Sequence, residues 1–279
     1  MRARKRFGQN FLHDQNLIRK IIQVINPQPE EHIVEIGPGR GALTELLLKS
    51  GCQLDVIEID RDLAAILRQK HPDLNVIESD VLKFDFTTIK ADKPFRVVGN
   101  LPYNISTPLL FKLFGNLNLI KDMYFMLQLE VVNRLIASHS NSDYGRLSIM
   151  SQYYCENERL FTVPPEAFVP MPKVMSAIVR LSPSTKERIT VDTNLLEKIL
   201  IQAFSMRRKT IRNALKGFVV AEDLISLELD PKDRPENLSL NDFLSITALT
   251  SKKASKKASE KTSIQASDPA LQNDSTKPI

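Results

Sequence analysis

Four short apolar runs constrain this chain more than any other feature: His32-Ile33-Val34-Glu35-Ile36-Gly37, Leu54-Asp55-Val56-Ile57-Glu58-Ile59, Leu74-Asn75-Val76-Ile77-Glu78-Ser79-Asp80 and Phe95-Arg96-Val97-Val98-Gly99. Each is too short for a helix and rich in β-branched residues, and residues 42–49 and 63–70 between them carry a helical period. Strands alternating with helices predict a parallel, doubly wound sheet, an α/β architecture. Sheets of this kind bind ligands beyond the carboxyl ends of their strands. The residues that close the four runs are therefore the candidate site.

The first run leads into Gly37-Pro38-Gly39-Arg40-Gly41. Glycines let the backbone approach a ligand closely, and a following helix offers unpaired N–H groups. The pattern is G-x-G-x-G, distinct from the G-x-G-x-x-G of dinucleotide sites. The second run brings Glu58 to a strand end about 20 residues past the first glycine, the spacing of a carboxylate that takes ribose hydroxyls. Asp60, two residues on, is predicted to cap the next helix. The third run ends in Ser79-Asp80. The fourth stops abruptly at Asn100-Leu101-Pro102-Tyr103. There the Asn100 Oδ1 and a backbone carbonyl of the turn, which we place near Pro102, can accept both N–H groups of an exocyclic amine, while Tyr103 stacks on the ring that bears it.

Asn-x-Pro-Tyr after the fourth strand resembles the signature of methyltransferases acting on exocyclic amines, and Asn-Leu-Pro-Tyr is the form in ribosomal RNA adenine dimethyltransferases. The glycine loop with Glu35 resembles motif I of S-adenosylmethionine-dependent methyltransferases. Gly8-Gln9-Asn10-Phe11-Leu12, the Phe168 to Ser176 segment (Phe-x-Pro-x-Pro-x-Val-x-Ser) and the run from Phe204 to Asn213 are also similar to that family's segments. The resemblance spans the chain to about residue 249. It implies a Rossmann-like, mostly parallel sheet with an antiparallel last strand and a small C-terminal helical domain. It implies S-adenosylmethionine as cofactor, held by Asn10, Leu12, Gly37, Glu58, Asp80 and Asn100, with Asp80 on the cofactor's adenine. Asn100, Pro102, Tyr103 and Phe168 would be the catalytic set, with Phe168 stacking on the target base opposite Tyr103. The substrate implied is a pair of adjacent adenines in a hairpin loop of small-subunit (16S) rRNA within an immature subunit. Two alternatives are a large-subunit rRNA methyltransferase, whose form tends to be Asn-Ile-Pro-Tyr, and a non-catalytic RNA-binding assembly or transcription factor on the same fold.

The net charge of +5 suits a polyanionic partner, and the cations are clustered. Arg4, Lys5 and Arg6 stand in an acid-free start, and Arg207, Arg208, Lys209 and Arg212 in an acid-free stretch; both are candidate RNA contacts. A basic arm at residues 1–13, a catalytic domain at 14–185, a helical RNA- or ribosome-binding domain at 186–250 and a disordered Lys/Ala/Ser-rich tail at 251–279 are expected. The two cysteines and four histidines are scattered without ligand spacing, so neither a metal nor a disulfide is expected. No apolar run approaches the roughly 18 residues of a membrane span and the basic start lacks a secretory core, which points to a cytoplasmic protein with no membrane partner; a monomer is expected.

Overall fold

The computed structural model describes residues 9–266, and these form two units. The first unit runs to Ser138 and from Leu147 to Thr185. Its elements are β1 (Phe11–Leu12), α1 (Gln15–Ile25), β2 (His32–Ile36), α2 (Thr44–Lys49), β3 (Gln53–Glu58), α3 (Arg61–Lys70), β4 (Asn75–Glu78) and β5 (Phe95–Asn100). There follow α4 (Ser106–Phe114), β6 (Ile120–Gln128), α5 (Leu129–Ile136), α6 (Arg146–Tyr154), β7 (Cys155–Val163), β8 (Phe168–Val169) and β9 (Ser176–Pro183).

Seven strands pair in the order β4-β3-β2-β5-β6-β9-β7. The contacts among β2 to β6 are parallel, and β9 enters antiparallel between β6 and β7. From β2 the chain winds outward through β3 and β4, then returns to lay β5 against the other side of β2. That reversal opens a crevice at the carboxyl ends of β2 and β5, where an open sheet binds its ligand. All five residues of β2 are buried, as a central parallel strand covered on both faces requires. Alternate side chains feed separate apolar layers: Val34, Ile36 and Val97 join one cluster, Ile33 and Val98 the other.

Sequence sets the local boundaries. The Asp14 side chain accepts from the N–H groups of Asn16 and Leu17 and so starts α1, and Asp60 caps α3 by accepting from Asp62, as expected. At the far end of the sheet from the crevice, the Arg96 guanidinium is buried and held by Asp122 (2.8 and 3.2 Å) and Glu31 (2.8 Å). Gly99 is required by close approach: a Cβ there would lie 2.7 Å from the Ile36 carbonyl oxygen and 3.0 Å from a Leu101 methyl.

The second unit comprises His139–Arg146 and the chain from Lys186 onward. It holds α7 (Thr193–Ser205), α8 (Ile211–Ala214), α9 (Ala221–Ser226) and α10 (Leu240–Ala266). Here the structure differs from expectation in three places. Residues 139–146, expected within the catalytic domain, belong to this helical unit, because Ser140 donates to the Glu236 carbonyl, Tyr144 packs on Phe204 and Arg146 pairs with Glu197. Residues 206–215, which the sequence reads as one helix from Met206 to Leu215, do not form one: α7 ends at Ser205, and α8 begins only after the Thr210 cap. Residues 251–266, expected to be disordered, continue α10. Their Lys, Ala and Glu residues are good helix formers, and Lys253 is anchored to Asp223. Among the described residues no helix is long and apolar enough to cross a membrane.

Candidate active site

A cavity of about 230 Å³ occupies the crevice. Its walls are the loop after β2, the ends of β3 and β4, the turn after β5, and the segment from Gln9 to Leu12. Of the expected site residues, Asn10, Leu12, Gly37, Glu58, Asp80, Asn100, Pro102 and Tyr103 all line it. Eight residues from five places in the chain thus converge on one cavity.

The glycine loop is shaped as a cradle. Gly37 and Gly39 have φ of 65° and 60°, the left-handed region that favours glycine. The Gly39 N–H donates to Glu58 at 3.1 Å, and the Asp60 N–H donates to the other Glu58 oxygen at 2.9 Å. Both oxygens are held in place, each with a further lone pair to offer a hydroxyl. Burial pushes the Glu58 carboxyl above its usual range, against those two N–H donors, with the charge of Asp60 adding to the rise. One Asp80 oxygen accepts from the Leu82 N–H at 2.9 Å and fixes the turn after β4.

Glu35 also lines the cavity, a placement not anticipated beyond its membership of the glycine motif. Burial raises its carboxyl to about 7; the 2.6 Å bond from the Thr44 hydroxyl opposes the shift and the charge of Glu58 adds to it. An acid inside an otherwise apolar strand was the available signal. The lining therefore holds three acidic side chains, Glu35, Glu58 and Asp80, beside one basic one, Arg40. This donor set suits a ligand with positive charge and hydroxyls. It does not suit a pyrophosphate, which calls for cations and exposed N–H groups.

The turn at Asn100 is held from several sides. Leu101 N–H donates to the Met126 carbonyl at 3.2 Å. The Pro102 carbonyl accepts from the Ile105 N–H and the Ser106 hydroxyl, each at 3.1 Å, so it is not the open acceptor expected near that residue. The Leu101 carbonyl has no such donor among the described residues. Asn100 Nδ2 donates to the Asn10 carbonyl at 3.0 Å. Because a carbonyl only accepts, this contact fixes the amide with Nδ2 inward and leaves Oδ1 for a donor. The Tyr103 hydroxyl lies 3.0 Å from that of Ser176 at the start of β9, a partner that sequence reasoning did not supply.

Phe168 departs from expectation. It is 3% exposed and is not among the residues lining the cavity. In β8 it pairs with Leu12, and its ring belongs to the buried cluster with Ile18, Tyr124 and Ile178. In this structure the ring offers no face to a base. Among the candidate RNA contacts, Arg207, Arg208, Lys209 and Arg212 are all exposed. Arg207 also donates to the carbonyls of Ser142 and Tyr144. Arg4, Lys5 and Arg6 lie outside the described residues.

The sequence matches the family model for ribosomal RNA adenine dimethylase over residues 1–252. It is 55% identical over 249 residues to the ribosomal RNA small subunit methyltransferase A of Hahella chejuensis, an alignment covering 88% of this chain and 91% of that one. Identity to the Coxiella burnetii protein of the same name is 50% over 251 residues, with 88% and 97% covered. Among solved structures, a dimethyladenosine transferase from Plasmodium falciparum is similar with a TM-score of 0.77 at 28% identity, covering 88% of this chain and 98% of that one. The 23S rRNA methyltransferase ErmE gives a TM-score of 0.65 at 26% identity, with 86% and 98% covered. The cradle, the acid-lined cavity and the fixed Asn100 amide are thus features of a chain that belongs to the ribosomal RNA adenine dimethylase family.

Proposed function

We propose that this protein transfers methyl groups from S-adenosylmethionine to the exocyclic amines of two adjacent adenines in a hairpin loop of small-subunit rRNA, two to each nitrogen. The immature small subunit is the proposed substrate, and the enzyme acts as a cytoplasmic monomer. The observation that carries the chemistry is the Asn100 amide, anchored through Nδ2 at the wall of the cavity with Oδ1 left for a donor.

When bound, S-adenosylmethionine would supply an electrophilic sulfonium methyl group whose leaving group is a neutral thioether, and the methylated amine would release one N–H proton to solvent. Glu58 would take the ribose hydroxyls, Asp80 the adenine amino group, and the Gly37 to Gly39 cradle the amino acid part. Asn10 and Leu12 would cover them. At the acceptor, Asn100 Oδ1 and the Leu101 carbonyl would receive the two N–H groups of the target amine. Those bonds strengthen as positive charge develops on the nitrogen, so they favour the transition state over the ground state. Tyr103 would stack on the base. Phe168 could supply the opposite face only by turning out of its buried cluster. A paired adenine cannot reach such a pocket, which is why a loop is the expected target. Arg207, Arg208, Lys209 and Arg212, with Arg4, Lys5 and Arg6, are the proposed phosphate contacts.

Labelled S-adenosylmethionine supplied with isolated immature small subunits, mature small subunits and large subunits tests the reading. Dimethyladenine in the first is expected, and label in large subunits alone would overturn it. Asn100→Ala should retain RNA binding and, measured at saturating S-adenosylmethionine, lose about 100-fold or more in methylation rate, the scale of one lost transition-state hydrogen bond in a preorganised site.

A further inference from the structure

The segment Asn10-Phe11-Leu12 does more than wall the cavity. Its Asn10 carbonyl is the acceptor for Asn100 Nδ2 at 3.0 Å. Contacts made by the next three residues hold that carbonyl in place. The Phe11 ring lies on the glycine cradle, so close that a Cβ at Gly39 would be 3.2 Å from two ring atoms, and the Arg40 guanidinium sits 4.6 Å above the same ring. Phe11 and Leu12 pair in register with Val169 and Phe168 as a two-stranded sheet. The His13 N–H then donates to the Ala167 carbonyl at 3.0 Å, and the His13 ring Nε2 lies 3.1 Å from the Glu166 carbonyl oxygen.

We propose that this strap is a positioning element for the methyl-transfer step, with the Asn10 carbonyl setting which end of the Asn100 amide faces the acceptor amine. The inference rests on the methyl-transfer reading above. The two ends of a side-chain amide are nearly equal in size and opposite in hydrogen-bonding sense. With Nδ2 turned outward, Asn100 would present N–H to N–H, and the acceptor amine would lose its partner. The pull of the Asn10 carbonyl removes that orientation. The same residues cover the donor cavity and align the acceptor group, so Asn100 is set for catalysis only while the strap is down.

Two variants loosen the strap from opposite ends. Phe11→Ala removes the ring from the glycine cradle, and His13→Pro removes the N–H bonded to Ala167 at a residue that does not line the cavity. At saturating S-adenosylmethionine each should lower kcat roughly 10-fold, the worth of one neutral hydrogen bond, and Phe11→Tyr should restore it. The direct readout is the side-chain amide NMR signal of Asn100 in 15N-asparagine-labelled protein, assigned by its loss in Asn100→Ala. One of its two protons should exchange slowly in the wild type and fast in both strap variants. If the variants raise the cofactor KM while kcat at saturation holds, the strap is a cover only and the proposal fails. It fails equally if kcat drops while the Asn100 signal is unchanged. A wild type that methylates no adenine overturns the functional reading instead, and the amide signal still reports on the orientation.

Discussion

The hydroxyls of Tyr103 and Ser176 lie 3.0 Å apart and tie the turn after β5 to the first residue of β9. The ring proposed to stack on the target base is thereby held at its far end by a strand two places away in the sheet. Tyr103→Phe and Ser176→Ala should each cost about 0.5–1.5 kcal/mol in kcat/KM, and the double variant no more than either alone, since both delete one hydrogen bond. Tyr103→Ala removes the stacking face as well and should cost a further 1–3 kcal/mol or so. Steady-state methylation across the four variants checks the pattern, and additive losses would rule out a shared bond.

Gly99 precedes the catalytic turn, where a methyl group would fall 2.7 Å from the Ile36 carbonyl oxygen. Backbone on a central strand does not yield cheaply, so Gly99→Ala should destabilise the protein by about 1–3 kcal/mol. It should also displace the turn relative to β2. Urea unfolding measures the first effect, and a loss of activity larger than the loss of folded protein reveals the second.

Removal of Arg96 leaves Asp122 and Glu31 without the guanidinium that both contact. Arg96→Met is expected to cost about 3–5 kcal/mol of unfolding free energy, the scale for breaking a buried pair from one side. Burial acts to raise the Glu31 pKa, but hydrogen bonds from Lys121, Arg96 and the Gln28 N–H outweigh it and hold the carboxyl below its ordinary 4.5. The stability that Glu31 contributes is therefore complete above that value and fades as pH falls through the lower folded one. Denaturation between pH 3 and 5, in round numbers, should show a shallower acid limb in the variant than in the wild type.

Glu35 titrates in the opposite sense. Its carboxyl is raised from 4.5 to about 7, so the folded state prefers the protonated acid. The associated stability is full below the unfolded-chain value and is lost as pH rises through about 7. Glu35→Gln keeps an acceptor for the Thr44 hydroxyl and removes the titration. Without cofactor it should be more stable than wild type at pH 8 by something on the order of 3 kcal/mol, with the difference vanishing near pH 4. Equal pH dependence of the two proteins would show that the buried carboxyl is not the titrating group.

The central sheet was legible because β2, β3 and β5 are buried on both faces: the runs ending at Gly37, Ile59 and Gly99 are mostly apolar, as covered strands require, whereas the edge strand β4 was marked only by Val76 and Ile77. The site was legible for the related reason that ligand residues of such a sheet follow its strand ends. Less was legible where structure depends on distant partners. β7 runs from Cys155 to Val163, yet Glu156 to Arg159 are polar and give no apolar run that marks a strand. The pairing of β1 with β8 has two residues on each side and no local signature. Phe168 follows from that: the family resemblance marks its ring for a base, and its pairing with Leu12 becomes visible only in three dimensions. The continuation of α10 past residue 250 was obscured by a composition that suits a solvated helix as well as an unfolded tail.

The pairing of Phe11 and Leu12 with Val169 and Phe168 also sets a timetable. A nascent chain leaves the ribosome with its amino end first, and parallel sheets already assemble late because their contacts are distant in sequence. Here the earliest-made residues of the donor cavity wait for partners synthesised more than 150 positions afterwards. Until residue 169 of the 279 has emerged, the protein has a cofactor cleft with no closure, so competence to methylate begins only past the midpoint of its translation and not with the folding of its first strands.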